Sequence, residues 1–161
     1  MQGYSKALRR EKGKVFMNYI LKKAEVIHKE TIYQIKKESV ISYVNSIWGW
    51  DEEYQRKDFD SDFSNLEQFQ IIEISGKISG FVQIYEHNDT VDLIEIHLIP
   101  EMQGKGIGSH IINSILKKAK SESKIVRLGC FKENHGAKKL YLNLGFVQTE
   151  QTDTHCIFVY K

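Results

Sequence analysis

A strand, a glycine-rich loop, an amphipathic helix and a second strand follow one another between Val91 and Phe131, and this run constrains the chain most. Val91–Ile99 (VDLIEIHLI) is rich in β-formers, and Pro100, the only proline, ends it. Gln103-Gly104-Lys105-Gly106-Ile107-Gly108 comes next. Ile107, Ile111, Ile112, Ile115, Leu116 and Ala119 then recur at helical spacing. Lys117, Lys118 and Lys120 crowd the last turns, where cations suit the macrodipole. Ile125–Phe131 (IVRLGCF) follows directly as a strand. A strand–helix–strand run of this length predicts two parallel strands.

The rest of the chain builds around that unit. Tyr19–Ala24 reads as a short first strand. From Glu25 to Ile47, residues Val26, Ile27, Ile32, Ile35, Val40 and Val44 have the spacing of one helix face. Asp51 reads as an N-cap, with Glu52 and Glu53 in the first turn of a second helix running to Phe59. Asp60–Glu67 is a polar connection. Phe69–Ile74 and Ile78–Glu86 are strands around the tight turn Ser75-Gly76-Lys77, and His87–Thr90 is a second turn. Asn134–Leu144 is a helix with Gly145 at its C′ position, and Leu140, Leu144 and Phe146 belong to the core. Phe146–Glu150 and His155–Tyr160 form a terminal hairpin. The order β-α-α-β-β-β-α-β-α-β-β predicts an α/β domain (an α+β mixed sheet) with one parallel crossover in its middle.

Length and charge narrow the function classes. The 161 residues suit one domain, and a formal charge of +2 excludes a strong general polyanion binder. No nucleic-acid partner is expected. Residues 1–16 stand apart, with Lys6, Arg9, Arg10, Lys12 and Lys14 against Glu11, a net +4; residues 17–161 are the domain. This basic extension is read as a solvated tail. No apolar run reaches the ~20 residues a bilayer crossing needs, and no apolar signal stretch opens the chain. Two cysteines, Cys130 and Cys156, without metal-ligand spacing point to a reduced, cytoplasmic protein. Cys130 is expected to be buried and Lys132 solvated. The six histidines are scattered, so no metal site is expected.

The glycine loop carries the strongest chemical signal. A helix start presents unpaired N–H groups and the positive end of the macrodipole. Glycines let a large anion approach the main chain and tolerate positive φ. Together they make a pyrophosphate cradle. The loop lacks the Gly-x-x-x-x-Gly-Lys-Ser/Thr of a P-loop and the Gly-x-Gly-x-x-Gly of a dinucleotide site. It does match Gln-x-x-Gly-x-Gly, at Gln103, Gly106 and Gly108. A second constellation is Asn134-x-x-Ala137-x-x-Leu140-Tyr141-x-x-x-Gly145-Phe146. Tyr141 lies seven residues after Asn134, two helical turns away on the same face. Asn134 can serve as a plain N-cap, and Tyr141 as packing alone.

Taken together, Leu98–Gly108 and Asn134–Phe146 resemble the two cofactor motifs of the GNAT N-acetyltransferase superfamily, over residues 17–161. The resemblance implies a GNAT-like acyl-CoA N-acyltransferase fold and acetyl transfer from acetyl-CoA to a primary amine. Attack would be direct, in a ternary complex, without a metal. The main chain of Ile96, His97 and Leu98 would pair with the pantetheine arm, in a slot left by splaying of the next strand. Gln103, Gly104, Lys105, Gly106, Ile107, Gly108 and Ser109 would hold the pyrophosphate. Asn134 would contact the cofactor arm. Tyr141 would also touch it and protonate the departing thiolate.

An amine attacks only as the free base, so a proton acceptor is required. Some family members carry a Glu on the fifth strand, five residues before the Asn, where this chain has Gly129. Glu95 is then the first candidate base and His97 the second, two residues apart on one strand face. Paired structural groups are the competing reading for both. In the family the first two helices, the loop between them and the terminal hairpin form the acceptor pocket. Trp48, Trp50, Asp51, Glu52 and Glu53 fall in that loop and could bind a cationic amine, borne by a small molecule or a peptide. The competing reading places the tryptophans in the core and the acids at a helix N-terminus. Edge strands and the hairpin offer surfaces for a homodimer. A non-catalytic acyl-CoA-binding or regulatory module is the alternative function, because Gly129 supplies no acid.

Overall fold

The computed structural model describes residues 18–161, so the basic extension lies outside the described residues. Seven strands form one mixed sheet: β1 (Ile20–Lys23), β2 (Phe69–Ile74), β3 (Lys77–Glu86), β4 (Thr90–Leu98), β5 (Ile125–Phe131), β6 (Val147–Gln151) and β7 (His155–Tyr160). The helices are α1 (Lys29–Trp48), α2 (Glu52–Phe63), α3 (Ile107–Ser121) and α4 (His135–Asn143). The sheet order is β1-β2-β3-β4-β5-β7-β6, and β4 and β5 are parallel, as the crossover requires. None of the described helices is long and apolar enough to cross a membrane.

The chain divides into two compact units. The first runs through Gln83 and adds Ile96–Gly108; the second is Ile84–Glu95 with Ser109–Lys161. In the first unit, α1 buries Ile32, Tyr33, Ile35, Val40 and Val44. Phe59 and Phe63, one turn apart on α2, stack with centroids 5.4 Å apart. Phe59 also meets Tyr33 at 5.3 Å, and Phe63 meets Phe69 of β2 at 5.1 Å. This aromatic chain explains why α2 runs on to Phe63 rather than stopping at Phe59. A polar-looking stretch stays helical because it delivers a second ring to the core. Between β2 and β3, Ser75 and Gly76 take φ of 52° and 76°, the paired left-handed residues of a two-residue hairpin turn.

One expectation fails at the start of α1. Val26 and Ile27 are 71% and 82% exposed instead of facing the core. Residues Val26–His28 form a separate 3-10 turn, in which the Glu25 N–H donates to His28 Nδ1 at 3.0 Å. Three residues per turn rotate these side chains out of phase with the α-helical stripe.

In the second unit the β4–β5 ladder runs from Thr90↔Ile125 to Leu93↔Leu128. β5 nevertheless stays paired with β7 as far as Phe131↔His155. The strand therefore keeps one neighbour after its ladder with the other has ended. Ile111, Ile112, Leu116 and Ala119 of α3 are buried, with Ile115 half-buried. Phe146 is buried, whereas Leu140 and Leu144 are only half-buried, because α4 turns Tyr141 inward instead.

Truncating Phe59→Ala is expected to cost about 3–5 kcal/mol, read as a shift in the urea midpoint. Val26→Ser, on the exposed turn, should change stability by less than about 0.5 kcal/mol.

Candidate active site

Residues Pro100–Met102 make a single 3-10 turn after β4, with proline at its first position. Gly104 and Gly106 follow with φ of 72° and 82°, on either side of Lys105. Alternation of backbone hand is the feature that, in an anion nest, turns successive N–H groups toward one side. Among the described residues, and apart from the adjoining chain, no heavy atom lies within 4 Å of where a Cβ would stand at Gly104 or Gly108, which leaves room for a ligand against the main chain there. Gln103 Nε2 donates to the Leu98 carbonyl at 2.9 Å and ties the loop to the end of β4. The glycine backbone and the α3 start thus fit a phosphate-bearing group.

Residues 30–146 match the profile of the acetyltransferase (GNAT) family. The chain belongs to that family. An uncharacterized N-acetyltransferase of Methanocaldococcus jannaschii is 34% identical over 90 residues, covering 51% of this chain. The match spans only 40% of that relative's length. The PaiA N-acetyltransferase of Thermoplasma acidophilum, solved in complex with coenzyme A, superposes with a TM-score of 0.71. It is 20% identical and covers 90% of this chain and 99% of its own. An N-acetyltransferase of Staphylococcus aureus gives a TM-score of 0.68 at 12% identity, covering 87% of this chain and 99% of its own. At these identities the likeness to the solved structures establishes the GNAT fold.

The remaining site residues divide between the two units. In the first, His97 is half-buried with its ring 5.3 Å from Phe81, and Ile96 and Leu98 are half-buried beside it. In the second, Glu95 is half-buried, with its Oε2 withdrawn from solvent. Asn134 Oδ1 accepts the Ala137 N–H at 3.1 Å and caps α4. Ser109, in the first turn of α3, is half-buried. Tyr141 is 6% exposed, with Phe158 edge-on at 5.5 Å. Burial, and next the Cys130 thiol, push the Tyr141 phenol well above its ordinary value. Its hydroxyl bonds nothing among the described residues.

Two smaller expectations need correcting. Cys130 is half-buried rather than buried, since it sits near the open end of β5, opposite the fully buried Cys156. Burial, then Cys156, push its thiol up to about 11, so it is protonated at neutral pH. Lys132 is half-buried rather than solvated, because its N–H pairs with the Thr154 carbonyl at 2.8 Å and continues the β5–β7 ladder. At Gly129 an added Cβ would meet Ile157 Cδ1 at 3.0 Å and the Cys156 carbonyl oxygen at 3.1 Å. β7 thus crowds any side chain there. Among the described residues, no group of three or more His, Cys, Asp or Glu could hold a metal ion.

The loop between α1 and α2 is organised around Glu52. Its Oε1 accepts from Tyr33 Oη at 3.0 Å and Arg56 Nε at 3.1 Å. Its Oε2 accepts from Lys37 Nζ at 2.9 Å and Trp50 Nε1 at 2.8 Å. Lys37 Nζ also lies 5.5 Å from the Trp50 ring, and the Arg56 guanidinium lies 4.0 Å from the Tyr33 ring. A carboxylate that already holds two side-chain cations is not a vacant receptor for a third. Asp51 accepts the Tyr54 N–H at 3.0 Å as the α2 cap. Trp48 is 61% exposed and Trp50 half-buried, so neither is a core residue. Sequence reasoning missed Tyr33, Lys37 and Arg56. The available signal was spacing, since Tyr33–Lys37 and Glu52–Arg56 are each four apart on a helix.

Lys37 first, then Trp50, hold the Glu52 carboxyl at about 2, below its usual 4.5. Between those values the unfolded chain binds the extra proton, so Glu52's stabilisation is complete above about 4.5 and is lost as pH falls toward 2. Glu52→Gln should therefore lower stability at pH 7 and flatten the acid limb of a melting-temperature profile. Glu30, held at about 2 chiefly by Arg56, leaves a residual slope.

Proposed function

We propose that the chain is an acetyl-CoA-dependent N-acetyltransferase that acetylates a primary amine on a small molecule or peptide by direct attack in a ternary complex. The observation that carries this reading is the pair of left-handed glycines, 104 and 106, opening into α3 in a chain of this family. Acetyl-CoA supplies the acetyl group as an activated thioester. Gln103, Gly104, Lys105, Gly106, Ile107, Gly108 and Ser109 hold the pyrophosphate through main-chain N–H groups and the helix start. The Ile96–Leu98 main chain pairs with the pantetheine arm. Asn134 Nδ2, which bonds nothing among the described residues, contacts that arm while Oδ1 caps α4.

Tyr141 keeps its proton on Oη at neutral pH because burial raises its proton affinity, and it donates that proton to the departing thiolate. Glu95 takes the proton of the attacking amine, directly or through water, with His97 the second candidate. Trp48 and Trp50 offer aromatic surface to the acceptor. Asp51 and Glu52 hold that surface in place, Asp51 through the α2 cap and Glu52 through the Trp50 indole. A non-catalytic acyl-CoA-binding module is the second reading, favoured by the crowding that β7 imposes at Gly129.

Thiol release from acetyl-CoA across an amine panel, paired with calorimetric titration, tests both. Wild type is expected to turn over at least one amine. Tyr141→Phe should lose on the order of 10²-fold in kcat while coenzyme A affinity stays within about threefold. Binding without turnover of any amine would leave the module reading standing.

A further inference from the structure

Gly80 is buried in β3, where that strand takes in an extra residue. Ile72 pairs with Gly80 and Glu73 with Ile78, so Ser79 is the inserted residue of a bulge. A Cβ at Gly80 would overlap the His97 carbonyl oxygen, and would also meet Leu98 Cδ2 at 3.0 Å and Ile72 Cδ1 at 3.1 Å. Close by, the Ile99 N–H donates to the Ser79 carbonyl at 2.9 Å. The His97 carbonyl therefore points at β3. In a planar trans peptide C=O and N–H point in opposite directions, so the Leu98 N–H points away from β3. The Leu98 carbonyl shares that direction, as alternation along a strand requires, and it accepts from Gln103 Nε2 of the glycine loop.

We infer that Gly80 is a positioning residue for the acyl donor. Lacking a Cβ, it lets the His97 carbonyl close on β3 and so turns the Leu98 amide outward, toward the pantetheine arm. This rests on the role proposed above for Ile96–Leu98. The bulge places the one residue type that fits at the point of closest approach, and Ser79, by bonding Ile99, fixes the peptide on the other side of Leu98.

The test compares wild type, Gly80→Ala and Ile72→Val by calorimetric titration with coenzyme A. Ile72→Val removes a buried methyl from the same contact without adding anything against β4, so it controls for lost packing. Gly80→Ala is expected to weaken coenzyme A binding about tenfold or more, and Ile72→Val to stay within about threefold. Equal affinity of Gly80→Ala and wild type would overturn the inference alone. Wild type that does not bind coenzyme A would remove the proposed function itself. Hydrogen exchange on wild type decides the matter if Gly80→Ala does not fold. Saturating coenzyme A should slow exchange at the Leu98 amide about tenfold and leave Ile99, already bonded to Ser79, nearly unchanged. An unaffected Leu98 amide would sink the idea.

Discussion

Two glycines with φ of 72° and 82° set how the chain leaves β4 and enters α3, and the candidate chemistry depends on that turn. An L-residue at either position would be strained. The turn also has an anchor, because Gln103 reaches back to the Leu98 carbonyl. That bond satisfies an acceptor at the end of a strand and fixes where the row of loop amides begins. An anion cradle made of main chain needs this kind of support, since its donors cannot choose rotamers. Their direction is the direction of the backbone.

Glu52 organises the helical side in a comparable way. Four donors from both helices and the linking loop converge on one carboxylate. Each exposed pair alone would contribute little. Sharing one acceptor, they fix the indole of Trp50 against Lys37 and the ring of Tyr33 against Arg56. The acidic look of the segment after Trp50 is therefore misleading. Its first carboxylate caps a helix and its second is neutralised by neighbours.

Much of the fold was legible. β5 and β7 fall on the residues their β-branched and aromatic runs indicated, because both strands are bounded by turn residues. The Ser75-Gly76 turn was readable because two positive φ values demand such residues. The failures have physical causes. Hydrophobic spacing at Val26 and Ile27 does not distinguish a 3-10 turn from the first turn of an α-helix, and here the phase differs. Phe63 looked like part of a polar linker because Asp60, Ser61, Asp62 and Ser64 around it are polar, although it stands one helical turn after Phe59. In the site, the glycine loop and the Asn134–Tyr141 spacing could be read because each motif is local. For the Glu52 cluster only the local pairs Tyr33–Lys37 and Glu52–Arg56 left a trace in the sequence; what joins those pairs, like the contact at Gly80, is packing between residues far apart along the chain.

The last strand but one has a bearing on assembly. β6 closes the sheet at its far margin, every one of its residues is exposed, and its register with β7 shifts between Gln148 and Glu150. The extra residue breaks the even comb of amides and carbonyls along that rim. A neighbouring molecule could not zip on strand to strand there across its whole length. A second strand laid against this flank would meet a regular row of partners over only part of β6, which works against extending the sheet into a continuous ribbon.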